Sequence, residues 1–138
     1  MSSKREAIIA ELAAALGEIE GVTVARRQVT PLERTAVPVI LLQPLDETIV
    51  ERKNNQAVRV MRLEVGVVTR GSTADTDADA WCVQAHAKMA GSNNAAGALS
   101  IVEQGTRWQL EDADGILACL VSTIYAVTYR THIDRLTT

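Results

Sequence analysis

Apolar residues recur at helical spacing near the N-terminus of the chain. They occupy one face of an amphipathic helix: Ile8, Leu12, Leu16 and Ile19. Ser3 and Glu6 stand in the positions of a capping box, in which the serine hydroxyl and the glutamate carboxylate each satisfy a free backbone N–H. The pattern therefore predicts a first helix over residues 3–19, which ends before Gly21.

A second helix is predicted after residue 72. Ser72 or Thr73 suits its N-cap, and the carboxylates of Asp75 and Asp77 lie in its first turn, where they favour the positive end of the helix dipole. Its buried stripe is expected to follow helical spacing: Ala78, Trp81, Cys82, Ala85 and Met89. The helix is expected to end within residues 91–94.

Two long segments alternate between apolar and polar residues in the manner of β-strands. The clearer one spans about residues 58–69, with apolar residues at every second position. At ~3.3 Å per residue it would be about 40 Å long, so we expect it to extend beyond the core of a domain of this size. The other spans residues 117–130 and is apolar on both faces, which is typical of a central strand.

Shorter strands are expected in the rest of the chain. They fall at residues 22–26, 39–42, 48–52, 100–104 and 106–110. Pro38 and Pro44 are expected to open and close the second of them, because proline donates no hydrogen bond to a strand ladder.

Turn residues stand where the strands should reverse. Asn54 and Asn55 favour a turn before the long strand, so that residues 48–52 would form a hairpin with it. Gly105 marks a bulge between the two short segments that flank it. Residues 112–115 end in Asp-Gly, a strong hairpin signal, just before the second long strand.

The length and composition of the chain fit an ordinary globular domain. With 138 residues, it is expected to form a single domain over residues 1–138. The apolar fraction of 47% and the absence of Phe predict a core of Val, Ile, Leu and Ala. The order helix, strands, helix, strands predicts an α+β fold: a mixed, mostly antiparallel β-sheet with two α-helices packed on one face.

Candidate catalytic and metal-binding motifs fail when they are compared residue by residue with what the chemistry requires. Asp75, Asp77 and Asp79 resemble the start of a calcium loop, but Ala80 and His86 replace the glycine and the glutamate that such a loop needs at its sixth and twelfth positions. We therefore expect no catalytic residue, no metal site and no cofactor. The net charge of −3 argues against a dedicated nucleic-acid binder.

One alternative of another class stays open at this stage. If the second helix forms, Cys82 and His86 lie one turn apart, as a nucleophile and its base would in a small enzyme or ligand-binding module. Cys82 and Cys119 show no disulfide framework, and both stand in apolar surroundings.

Charged residues on and before the first long strand are the candidate subunit interface. They are Arg52, Lys53, Arg59, Arg62, Glu64 and Arg70. Three interpretations fit them: a solvated strand face protected by charge, a seam that pairs with acidic residues of a neighbouring subunit, or a surface that faces a pore carrying DNA.

Several segments together resemble a known family. They are Gly21–Val24, Thr30–Glu33, Val37–Ile40, Asp75–Trp81, Glu111–Gly115 and Ile124–Tyr129. In this order they are similar to the minor tail protein family that includes the tail terminator of lambda-like long-tailed phages and its prophage relatives. The most specific of them is the acidic turn followed by the strand that contains Tyr-Ala-Val-Thr-Tyr.

The resemblance implies a role in assembly without catalysis or cofactor. Members of the family have helices on one side of a sheet, are largely monomeric alone, and form a hexameric ring at the head-proximal end of the tail tube. The implied partners are copies of the chain itself, the tail tube protein and the head connector, with DNA only as non-specific cargo through the pore. The implied location is the virion tail, after synthesis in the host cytoplasm, and the implied alternative is a neck-completion protein.

Overall fold

The computed structural model describes residues 2–26, 38–113 and 115–137. Its elements are α1 (Lys4–Gly17), β1 (Thr23–Ala25), β2 (Val39–Lys53), β3 (Gln56–Arg70), α2 (Ala74–Gly91), a 3-10 turn (Ala95–Gly97), β4 (Ser100–Ala113) and β5 (Ile116–His132). The strands form one five-stranded sheet in the order β1-β2-β3-β5-β4. Only β1 and β2 are parallel, and all other neighbours are antiparallel. The predicted α+β fold with a mostly antiparallel sheet is confirmed, whereas residues 30–33, Val37 and Asp114 of the resembling segments lie outside the described residues.

The first helix forms as predicted, with a different capping arrangement. The Ser3 hydroxyl accepts a hydrogen bond from the Glu6 N–H at 3.1 Å. The Glu6 carboxylate does not complete the predicted capping box and instead accepts from Arg26 beyond β1, at 2.9 Å for one of the two contacts. This hydrogen bond from Arg26 holds the pKa of Glu6 below its ordinary value. The pair links the start of α1 to the end of β1.

Strand β2 corrects the prediction that Pro44 closes a short strand. The pairing of β2 with β3 shifts between Pro44 and Asp46, and the strand then continues to Lys53. A bulge is one of the few places where a strand accommodates proline, because the missing N–H is then not needed by the ladder. The two predicted segments 39–42 and 48–52 are therefore parts of one strand.

The turn between β2 and β3 is the predicted asparagine pair. Asn54 has φ 53° and Asn55 has φ 64°, so both central residues are in the left-handed region that a type I′ hairpin turn requires. Asparagine tolerates this region better than most residues other than glycine. The bulge predicted at Gly105 is also present, as a shift in the pairing of β4 with β5 between Glu103 and Gly105.

The core lies between the helices and one face of the sheet. Alternate residues of β3 and β5 are buried there against α1 and α2: Met61, Leu63, Val65, Val67, Cys119, Val121, Tyr125, Val127 and Tyr129. Strand β5 lies between β3 and β4, as its two apolar faces predicted. Two members of the predicted helix stripe, Trp81 and Cys82, are only half-buried, at the margin of this core.

Gly21 lies against the Trp81 ring and has a positive φ. Its φ is +86°, and a Cβ added there would lie 3.3 Å from the Cη2 atom of Trp81. We expect Gly21→Ala to lower the free energy of unfolding by about 1–2 kcal/mol, because alanine is strained at this φ and the contact with Trp81 is already tight. Urea denaturation followed by circular dichroism measures the change, and Gly17→Ala, in a helix with open space around its Cβ position, is the matched control.

Candidate functional site

The two faces of the sheet differ in what covers them. We call the face packed against α1 and α2 the helix face, and the opposite face the open face. Met61 and Leu63 point to the helix face, whereas Arg62 and Glu64 between them point to the open face, since successive strand residues alternate.

The alternation distributes the six candidate interface residues over three places. Arg52 and Lys53 are exposed near the turn that joins β2 to β3. Arg59 lies on the helix face. Arg62, Glu64 and Arg70 all lie on the open face, because strand residues an even number of positions apart point the same way. A single charged seam along β3 is therefore not what the fold presents, and β3 itself has a strand on each side.

Arg59 belongs to a polar cluster that closes one end of the core. Its guanidinium lies 3.3 Å from the Glu47 carboxylate and donates to the Thr131 hydroxyl at 2.9 Å. Glu47 also accepts a hydrogen bond from the buried Tyr129 hydroxyl and lies 3.3 Å from the Arg5 guanidinium. The side chains of Glu47 and Arg59 are only 13% and 12% exposed, so this cluster holds α1, β2, β3 and β5 together.

The charged residues of the open face are also joined to one another. Arg62 donates to both carboxylate oxygens of Asp46, at 2.8 and 2.6 Å, and this contact lowers the pKa of Asp46. Glu64 accepts from the Gln43 amide at 2.6 Å and from the Ser122 hydroxyl. These contacts link β2, β3 and β5 across the open face.

The outer side of β2 is a free edge over most of its length. β1 pairs with it only from Val39 to Leu41. From Leu42 to Lys53, no strand of the described part of the chain lies beside it. We call this stretch the β2 edge. Its exposed large apolar side chains are Leu45, Ile49 and Val50.

The outer side of β4 is a second free edge on the opposite side of the sheet. The Asn93 side chain accepts a hydrogen bond from the N–H of Ile101 at 2.7 Å. From residue 102 to residue 113, no strand among the described residues lies beside β4. We call this stretch the β4 edge. It exposes Val102, Trp108 and Leu110 by 56%, 64% and 56%.

A groove between α2 and β4 contains the cysteine and histidine that the sequence placed one turn apart. Cys82 and His86 both line it. His86 Nδ1 lies 2.8 Å from the Tyr125 hydroxyl and 3.9 Å from the Glu103 carboxylate, and its ring stacks on that of Tyr125. Burial raises the pKa of the Cys82 thiol to about 11, so the thiol is protonated near neutral pH and is a poor nucleophile.

Two features are absent from the described residues. Within residues 2–26, 38–113 and 115–137, no three His, Cys, Asp or Glu side chains come together as metal ligands. Over the same ranges, none of the helices combines the length and the apolar character that crossing a membrane requires.

Comparison with known proteins yields a distant structural likeness. No protein-family model matches the chain, and no curated protein matches its sequence. Among solved structures, a chain of the "Virion of native gene transfer agent (GTA) particle" is similar to this one, with 12% sequence identity and a TM-score of 0.49. The match covers 91% of this chain and 92% of that chain. A likeness at this level identifies neither a family nor a function.

Sequence reasoning missed the two free edges and the Glu47 cluster. The alternating pattern identifies strands but not their order in the sheet, so it did not indicate which strands have an open side. One signal for the β4 edge was present: Trp108 and Leu110 alternate with polar residues in a segment of low overall apolar content. No local signal links Glu47 to Tyr129, because the two are 82 residues apart.

Proposed function

We propose that this chain is a structural assembly subunit, a tail terminator that caps the head-proximal end of a phage tail tube and joins it to the head connector. The observation that carries the proposal is the pair of long free edges on opposite sides of one sheet, each with large apolar side chains exposed. The resemblance of the sequence to minor tail proteins supplies the kind of assembly.

Free strand edges of this length are unusual in a protein that acts alone. An unpaired edge presents a row of backbone N–H and C=O groups that can pair with another chain, so monomeric proteins normally cover, shorten or charge their edges. Here the β4 edge exposes Trp108 and Leu110 on the face that the helices cover elsewhere. A subunit that is completed by its neighbours explains this exposure.

Two different edges on one subunit favour a ring. When one surface of a subunit binds a different surface of the next, the contact is head-to-tail, and it closes into a ring if the rotation between copies allows it. A terminator must also remain separate until it meets the tube. Charges beside the apolar residues of both edges suit this requirement, because complementary charge contributes orientation and association rate more than affinity.

In this proposal the chain performs no catalysis. The groove beside α2 contains a protonated thiol, and its histidine contacts Tyr125. We therefore expect a variant that combines Cys82→Ala and His86→Ala to support assembly as the wild type does.

The proposal is tested by deleting the gene from its phage or prophage and measuring tail lengths in the lysate by electron microscopy. Because nothing then ends the growth of the tube, we expect tails of unregulated length. We expect both the wild-type gene and the Cys82→Ala, His86→Ala variant to restore a single length. Finished tails beside finished heads would instead indicate a neck-completion protein. Normal, joined particles would contradict both assembly roles.

A further inference from the structure

We infer that copies of this chain join head to tail through their sheets, the β4 edge of one copy pairing with the β2 edge of the next. The inference rests on the proposed assembly role and names the surface that carries it. The partner is a second copy of the chain, because the two edges of one molecule match each other in direction, length, side-chain character and charge.

The direction of the strands sets how the edges meet. β2, β3, β5 and β4 are successively antiparallel, so β2 and β4 of one copy run in opposite directions. If the next copy continues the sheet with its helices on the same face, its β2 runs antiparallel to the β4 that it joins. Antiparallel ladders are slightly more stable per residue than parallel ones, so the joint takes the favoured form.

The two free stretches have the same length, because other groups of the chain already pair with one end of each strand. β1 pairs with β2 as far as Leu41, which leaves the twelve residues from Leu42 to Lys53 available for pairing. The Asn93 side chain accepts the hydrogen bond of the Ile101 N–H, which leaves the twelve residues 102–113 of β4 available for pairing. In antiparallel pairing of these two stretches, Lys53 meets Val102, and the bulge of β2 between Pro44 and Asp46 brings Leu42 opposite Asp112, on the same face. Thr106 then faces Ile49, and the neighbour's β4 ends beside Ala25, the last residue of β1, which pairs with Leu41.

Apolar side chains from both edges lie on the helix face in this pairing. Ile49 pairs with Arg59 and Trp108 pairs with Val121, and both partners are on the helix face, so Ile49 and Trp108 are on the helix face as well. Leu110 follows Trp108 on that face. Pairing the edges would bring these exposed side chains together and remove them from water, which is the main favourable contribution to association.

The charges on each face are complementary. On the helix face, Glu103 of β4 would lie near Arg52 of the next copy, which is one of the predicted interface residues. On the open face, Arg107 of β4 would lie between Asp46 and Glu51 of the next copy. Opposite charges across a ladder stabilise it and select its register.

The positions of the two edges along the strands fit a closed ring. Thr106 is level with Thr123 of β5, whereas Ile49 is level with Arg59 and therefore with Tyr129 of β5. Pairing these two residues displaces each copy along the strand direction by roughly six residues, or about 20 Å, relative to the copy before it. Each copy contributes four strands to the joined sheet, which together are about 19 Å wide. A shift equal to the width tilts the strands by about 45°, close to the ~35–45° of closed barrels. The bulges in β2 and β4 supply the local twist that closure needs.

Cysteine cross-linking tests this joint directly, because it traps contacts even where the chain is mostly monomeric. A Thr106→Cys variant is mixed with an Ile49→Cys variant under mild oxidation, and the disulfide-linked dimer is quantified on non-reducing gels. We expect the mixture to form dimer about tenfold faster than either variant alone, because pairing gives the two thiols a high effective concentration. The native Cys119 is buried and Cys82 has a raised pKa, so both are slow to react.

The matched control is a Val83→Cys variant mixed with the Ile49→Cys variant. Val83 is 66% exposed, similar to Trp108, but it lies on α2 and not on either edge strand. Rates are normalised to the reaction of each thiol with a small disulfide reagent. The inference is overturned if this control mixture reacts as fast as the edge mixture, or if either edge variant alone dimerises as fast as the two together.

A variant that carries both cysteines extends the test to the assembly. Each copy can then be linked on both sides, and we expect a ladder of cross-linked products that stops at the copy number of the closed ring. A ladder without an upper limit would contradict ring closure. If the edges cross-link but deletion of the gene leaves tail lengths normal, the joint between edges is supported and the terminator role is contradicted. If deletion gives tails of unregulated length but the edges do not cross-link, the terminator role is supported and this joint is contradicted.

Discussion

Replacing Leu63 by alanine is expected to lower the free energy of unfolding by about 3–4 kcal/mol. Leu63 lies at the middle of β3 and is fully buried, with Pro44 and Tyr125 as its cross-strand neighbours. Removing a buried leucine side chain typically costs about 2–5 kcal/mol, because the transfer free energy is lost and a cavity remains. A loss above the lower end of this range is expected, since neighbouring strands on both sides limit how far the site can collapse.

Chemical denaturation followed by circular dichroism measures this change, and Leu110→Ala is its control. Leu110 is also a leucine within a strand of the same sheet, but it is 56% exposed on the β4 edge. The isolated Leu110→Ala protein should unfold within about 0.5 kcal/mol of the wild type, as exposed positions usually do. Equal effects of the two substitutions would mean that β3 is not the centre of the core.

Replacing Glu47 by alanine is expected to lower the free energy of unfolding by about 3 kcal/mol. The substitution removes the acceptor of the Tyr129 hydroxyl and the partner of two guanidinium groups, Arg59 and Arg5. Arg59 would then remain nearly buried with its charge uncompensated, and breaking a buried pair from one side costs about 3–5 kcal/mol. The lower end is expected, because Arg59 retains its hydrogen bond to Thr131 and Arg5 is partly exposed.

The neighbouring residue supplies the control for Glu47. Asp46 also binds an arginine, Arg62, but both side chains are about half exposed. Exposed ion pairs contribute little to stability, so Asp46→Ala should leave the midpoint of denaturation nearly unchanged. A large loss for Asp46→Ala together with a small loss for Glu47→Ala would show that the open face, and not the helix face, holds this end of the sheet.

The elements of this fold were largely predictable, because local pattern determines them. Alternation located β3 and β5, helical spacing located α1 and α2, and turn residues placed both hairpins. The prediction failed at Pro44, where local propensity alone argues for a strand end. The pairing of β2 with β3 overrides that propensity by forming a bulge, and pairing between distant segments leaves no signature in a short window of sequence.

The candidate site was less predictable than the fold for a related physical reason. The charged residues of β3 stand next to one another in sequence, so they suggested one interface, but alternation directs Arg59 to one face and Arg62 to the other. An edge is defined by the absence of a neighbouring strand, which depends on sheet order. In the structure, Arg52 and Lys53 lie on the β2 edge, where charged residues commonly protect a strand without a neighbour.

Electron cryomicroscopy of isolated tails, with this chain located in the map, tests the central claim most directly. We expect copies at the head-proximal end alone, in a closed ring where β4 of each copy pairs antiparallel with β2 of the next. Copies spread along the whole tube, or absent from the tail, would contradict the terminator role. A ring whose copies meet through their helices would contradict assembly through the sheet edges.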